Sequence, residues 1–202
     1  MKHIFINPVT QNMYDKEELY NFLKQQKFEQ VYCQKDWISF VKNEYKKVTA
    51  AFPDSIIMDM RCPKAVQYVK QTARTENLHF PQIEPILIHC AKELAEKYGK
   101  SDSLIITTPC KALADYGNAL NIHNTTFISW NDFAADNSCQ LKKNHLEASP
   151  IPPGFFKELK STISLTGEDE IKNFFGSEKL KSTGIIEMLF CKDGCNNGDG
   201  VL

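Results

Sequence analysis

Short apolar runs alternate along the chain with stretches in which apolar residues recur every three or four positions. His3–Ile6 reads as a strand, and Asp15–Gln26 as a helix with Leu19, Phe22 and Leu23 on one stripe. Val31-Tyr32-Cys33 is predicted as a second short strand. Asp36 is a predicted N-cap for a helix over Trp37–Val48, with Trp37, Phe40, Val41 and Tyr45 as its apolar face. Ser55–Met60 reads as a third strand. Pro63 suits the first turn of a helix continued by Ala65, Val66 and Val69. A helix over Ile83–Tyr98 is closed by Gly99, and strands follow at Leu104–Thr108 and Thr126–Trp130. After a polar, then proline-rich connection over Asp136–Pro153, the pattern predicts a strand at Thr162–Leu165, a helix at Glu168–Phe175 and a strand at Gly184–Phe190. The glycine-rich Asn196–Gly200 tail is read as irregular.

This alternation predicts an α/β fold with short parallel sheets and flanking helices in two lobes around a cleft. The chain has 202 residues and is read as one domain, 1–202, with sublobes at about 1–135 and 150–202. A formal net charge of −1 supplies no field for nucleic acid or an anionic membrane surface, so neither is expected as a partner. No apolar run reaches bilayer length, and Met1–Ile6, broken at Asn7-Pro8, is too short for a signal peptide. A cytoplasmic location is expected.

Composition changes the picture through cysteine. There are seven, an odd number that argues against a disulfide framework in a chain without a secretory signal. Cys62, Cys110 and Cys191 each follow a predicted strand, and in an open parallel sheet the carboxyl ends of the strands line the binding crevice. Cys195 lies four residues beyond Cys191 across a Lys-Asp-Gly turn. Four thiolates delivered by loops suit a cubane cluster or tetrahedral zinc. One close pair with two scattered cysteines favours the cluster without settling it. Gly194, Gly198 and Gly200 leave room for backbone amides to approach sulfur. Arg61 and Lys111 flank two of the cysteines and are expected to favour the thiolate.

Other residues carry plainer readings. Cys33, in the second strand, and Cys90, in a helix, read as small buried hydrophobes, and Cys139 as a loop thiol. His89 and Cys90 point in different directions on one helix and form no dyad. Lys92, Glu93, Glu96 and Lys97 read as a solvated face. His3, His79, His123 and His145 lack metal-ligand spacing. Glu187 is either a proton carrier beside the cysteine loop or an anchor that holds a loop by hydrogen bonds.

Three segments together resemble the catalytic domain of iron-iron hydrogenases: Arg61-Cys62-Pro63, Thr108-Pro109-Cys110-Lys111, and the long run from Glu187 through Cys191-Lys192-Asp193-Gly194-Cys195 to Gly198-Asp199-Gly200. Phe80–Pro85 and the helix after it are also similar to the family. The resemblance runs from about Ser55 to the end. It implies that Cys62, Cys110, Cys191 and Cys195 hold a [4Fe-4S] cluster in the cleft between the lobes. The departures imply a shortened, non-catalytic member. Arg61 stands where the family has a proton-handling cysteine, Leu113 where a lysine contacts the diiron ligands, and Leu189 where a methionine precedes the third ligand. The closing Gly-Gln-Pro becomes Gly200-Val201-Leu202, and no ferredoxin-like cysteine run is present. No diiron subcluster is therefore expected. The implied function is electron transfer, redox sensing or assistance to hydrogenase or cluster assembly, with a protein partner of that kind. The alternatives are an active iron-iron hydrogenase-type enzyme and a structural zinc or metal-free interaction module.

Overall fold

A computed structural model describes residues 2–73, 77–100, 102–159, 161–176 and 184–202. In chain order its elements are β1 (Lys2–Phe5), α1 (Pro8–Met13), α2 (Lys16–Gln25), β2 (Phe28–Gln30), α3 (Trp37–Ala51), β3 (Ile56–Met58), α4 (Pro63–Thr72) and β4 (Leu78–His79). There follow α5 (Ile86–Tyr98), β5 (Ser103–Thr108), α6 (Lys111–Ala119), β6 (Thr125–Ser129), α7 (Trp130–Asp136), β7 (Thr162–Thr166), α8 (Glu168–Gly176), β8 (Gly184–Leu189) and a 3-10 turn over Cys195–Asn197. The protein is α/β. The described strands form two four-stranded parallel sheets, ordered β2-β1-β5-β6 and β4-β3-β8-β7. Among the described residues no helix is long and apolar enough to cross a membrane.

The chain divides into two units. The first comprises residues 1–35, 87–151 and 195–202, and the second 36–86 and 152–194. They are interleaved, unlike the consecutive sublobes expected from sequence. The cause is strand order: β7 and β8 return to the sheet begun by β3, and the last residues rejoin the first unit.

In the first unit the winding reverses between β1 and β5, because β2 is added on one side of β1 while β5 and β6 are added on the other. The carboxyl ends beside such a reversal are where open α/β sheets bind ligands. Asn7 and Thr107 tie these two ends together. The Asn7 N–H donates to Thr107 Oγ1 at 2.9 Å, and Thr107 Oγ1 donates to the Phe5 carbonyl at 3.1 Å. Asn7 also caps α1, accepting the Thr10 N–H at 3.0 Å, with Pro8 in the first turn. The Asn7-Pro8 break thus starts a helix as well as ending a strand. Ile4, Ile6, Leu19, Leu23, Trp130 and Phe133 lie in this unit's core.

In the second unit, Ile56, Met58, Ile186 and Met188 face α4 and α8 on one side of the sheet. Ile57 and Ile185 join Val41, Tyr45 and Phe156 on the other. Burial on both faces explains why β3 and β8 read as continuous apolar runs.

Several expectations shift. The second strand is Phe28–Gln30, so Cys33 lies in irregular chain beyond it. Phe40 is exposed, and the buried positions of α3 are Val41 and Tyr45. Trp130 opens α7 after the Ser129 cap, where a strand residue was expected. The tail contains the 3-10 turn and buries Val201 completely.

Candidate metal centre

The second unit presents two of the predicted ligands. Its central strands β3 and β8 pair in parallel with Met58 opposite Ile186, and both lead into a cysteine. Cys62 follows β3 and is the N-cap of α4; Cys191 follows β8. Both lie at the carboxyl edge of one sheet. The N–H of Ala65, in the first turn of α4, and the N–H of Phe190 both reach the Cys62 thiol. Burial pushes the Cys62 thiol up, while the N–H groups of Phe190 and Ala65 pull it down by less. The expected help from Arg61 is a minor influence, because the Asp59 carboxylate opposes it. The Cys191 carbonyl accepts the Thr166 hydroxyl at 3.2 Å and the Gly194 N–H at 3.4 Å, which turns the chain after β8.

The first unit presents the other two. Cys110 follows β5, at the winding reversal, and is the N-cap of α6. A helix N-terminus favours an anionic sulfur. Cys195 starts the 3-10 turn, and the tail after it lies on the Cys110 loop. The Gly200 N–H donates to the Pro109 carbonyl at 3.1 Å, and Asp199 Oδ1 accepts the Lys111 N–H at 3.0 Å. A Cβ on Gly200 would stand 2.9 Å from the Cys110 backbone, and one on Gly198 would stand 2.4 Å from the Pro109 carbonyl oxygen. Glycine is required at both positions for the tail to approach this closely. Cys62, Cys110, Cys139, Cys191 and Cys195 are not part of any disulfide. Among the described residues no three His, Cys, Asp or Glu side chains are gathered as a metal-holding group.

Arg61 occupies the second unit's interior. Its Nε and Nη2 donate to the two oxygens of Asp59 at 3.0 and 2.8 Å, and Nη2 also donates to Glu187 Oε1 at 2.8 Å. The guanidinium lies 3.9 Å from the Phe155 ring centroid and 4.9 Å from that of Phe156. Glu187 further accepts the N–H groups of Gly154 and Phe155 at 2.9 and 3.0 Å. Of the two sequence readings of Glu187, the loop anchor matches this geometry: its oxygens hold an arginine and two backbone amides. Tyr45 accepts the Met60 N–H at 2.7 Å and faces Asp59, and burial raises its hydroxyl well above the ordinary value. Asp59 was missed in the sequence. Its signal was a charged residue ending an otherwise apolar strand.

Two further readings are corrected. Cys33 and Cys90 are joined as a disulfide, with Cα atoms 5.8 Å apart. Each alone resembles a small hydrophobe, and only the packing of α5 beside the segment after β2 pairs them. Glu93 is no purely solvated side chain, since it accepts the N–H groups of Gln34 and Lys35 at 2.8 and 3.4 Å. Leu113 and Leu189 are buried in the hydrophobic interior. The chain matches no protein-family model and no curated protein.

Proposed function

We propose that this chain is a hydrogenase-like iron–sulfur protein holding one [4Fe-4S] cluster on Cys62, Cys110, Cys191 and Cys195. It serves electron transfer, redox sensing or the assembly of a hydrogenase or its clusters, in the cytoplasm and with a protein partner of that kind. The observation that carries this reading is the ending of two paired central strands, β3 and β8, in Cys62 and Cys191 at one sheet edge. The donor chemistry suits the group: none of the four cysteines is spent in a disulfide, and two stand at helix N-caps, where backbone N–H groups favour thiolate sulfur. When bound, such a cluster supplies one-electron transfer. The protein's own contribution is positional. Asp59, Arg61 and Glu187 fix the chain just ahead of Cys62 and ahead of Cys191, and Gly198 and Gly200 let the tail carrying Cys195 reach the Cys110 loop.

The same residues favour a non-catalytic role. Arg61, at the position of the family's proton-handling cysteine, is bound on two sides by carboxylates and does not release a proton near neutral pH. Leu113 offers no charge or hydrogen bond to a diiron ligand.

Anaerobic purification with iron, sulfide and zinc analysis tests the reading. About four iron and four sulfide per chain are expected, with a paramagnetic signal on reduction. One zinc without sulfide overturns it. Co-expression with hydrogenase maturation proteins should give no hydrogen evolution above a Cys110→Ala control. Turnover accompanied by infrared bands of iron-bound carbon monoxide and cyanide overturns the non-catalytic assignment.

A further inference from the structure

We propose that Cys33 and Cys90 form a reversible thiol–disulfide site, opened by a dithiol reductant that attacks Cys33. This inference does not depend on the cluster. The Cα separation of 5.8 Å lies inside the range of about 4.4–6.8 Å that disulfides span, so the bond closes without backbone movement. The two sulfurs differ in access. Cys33 is half-buried in irregular chain, whereas Cys90 is buried on α5. An incoming thiolate therefore meets the Cys33 sulfur first.

Contacts that survive bond opening hold the segment in place. The Val31 N–H donates to the Ile4 carbonyl at 2.9 Å, and Val31 is buried. Glu93, one turn beyond Cys90, accepts the Gln34 and Lys35 N–H groups. The reduced thiols stay within reach of each other, which makes the site reversible rather than a bond lost once. Its position gives the bond leverage. The chain leaves the first unit after Lys35 and re-enters it at Leu87, so the disulfide closes a covalent loop around residues 36–86, Cys62 included. The five other cysteines are not disulfide-bonded. In a compartment that keeps thiols reduced, a disulfide is more often a redox device than a permanent staple.

The exchange balances as two thiol steps. The first thiolate of the reductant bonds to Cys33 Sγ, the Cys33–Cys90 bond breaks, and Cys90 leaves as a thiolate that takes a proton. The second thiol of the reductant then attacks the mixed disulfide and frees Cys33. The reductant departs as its own disulfide, and two electrons and two protons stay on the protein.

The test uses the full, iron-free chain under native conditions, equilibrated in oxidised or reduced dithiothreitol, alkylated and mapped by mass spectrometry. The oxidised protein should take five labels and the reduced protein seven, the added two on Cys33 and Cys90, with five restored on reoxidation. Oxidised glutathione should then modify Cys33 in Cys90→Ser far faster than Cys90 in Cys33→Ser. Seven labels in oxidising buffer, reduction only after denaturant, or equal modification of the two single variants would overturn the proposal.

Discussion

Arg61→Met keeps most of the side chain's bulk and removes its guanidinium. Three charge-assisted hydrogen bonds are lost, two to Asp59 and one to Glu187, and both carboxylates are completely buried. At about 1.5–3 kcal/mol each, their gross worth is about 4.5–9 kcal/mol. Much of that is offset by the cost of keeping the arginine out of water. Breaking a buried pair by removing one partner costs about 3–5 kcal/mol, because the remaining charge is left without compensation. Two carboxylates remain here, so the upper part of that range is expected. A loss of about 4–5 kcal/mol lowers the melting temperature by about 8–20 °C in a chain of this size. Urea unfolding followed by circular dichroism measures it. Adding Asp59→Asn and Glu187→Gln to Arg61→Met should recover much of the stability, since neutral amides can stay buried at lower cost. Amide exchange at Gly154 and Phe155 should quicken in Arg61→Met, because Glu187 loses the group that orients it. A loss under about 1 kcal/mol, or a triple variant no more stable than the single one, would show that the ion network does not hold this unit together.

Tyr45→Phe removes the acceptor of the Met60 N–H and should cost about 1–3 kcal/mol by urea titration. Burial raises the Tyr45 hydroxyl above 10.0, so the unfolded chain releases this proton first; stability is intact below that pH and falls as pH rises beyond it, less steeply in Tyr45→Phe. Tyr14, raised by burial as well, leaves a residual slope in that variant. Gly200→Ala places a methyl 2.9 Å from the Cys110 backbone and should cost about 1–3 kcal/mol while lowering bound iron; unchanged stability would mean that the tail does not depend on this approach. Alanine at Cys62, Cys110, Cys191 or Cys195 should each reduce iron content after anaerobic reconstitution, whereas Cys139→Ala should not; the reverse pattern refutes the ligand set.

The sequence by itself determined the local elements and the places where thiols emerge. Apolar runs flanked by helical stripes marked β3, β5 and β8, and each run ended at or just before a cysteine, because a strand's burial and its end are both local properties of pattern. Asn7-Pro8 was legible as a boundary but not as a helix start, since a cap and a break share the same residues. Only the tertiary structure decided strand order. Nothing in the runs of β7 and β8 says that β8 pairs with β3, yet that pairing brings Cys191 to the sheet edge of Cys62. It also carries Glu187 to Arg61 across 126 residues. Lone residues such as Asp59, Cys33 and Cys90 have meaning only through partners far away in the chain. Local periodicity reports which face is buried; which neighbour covers that face is chosen by packing between elements, and the buried ion network and the disulfide belong to that choice.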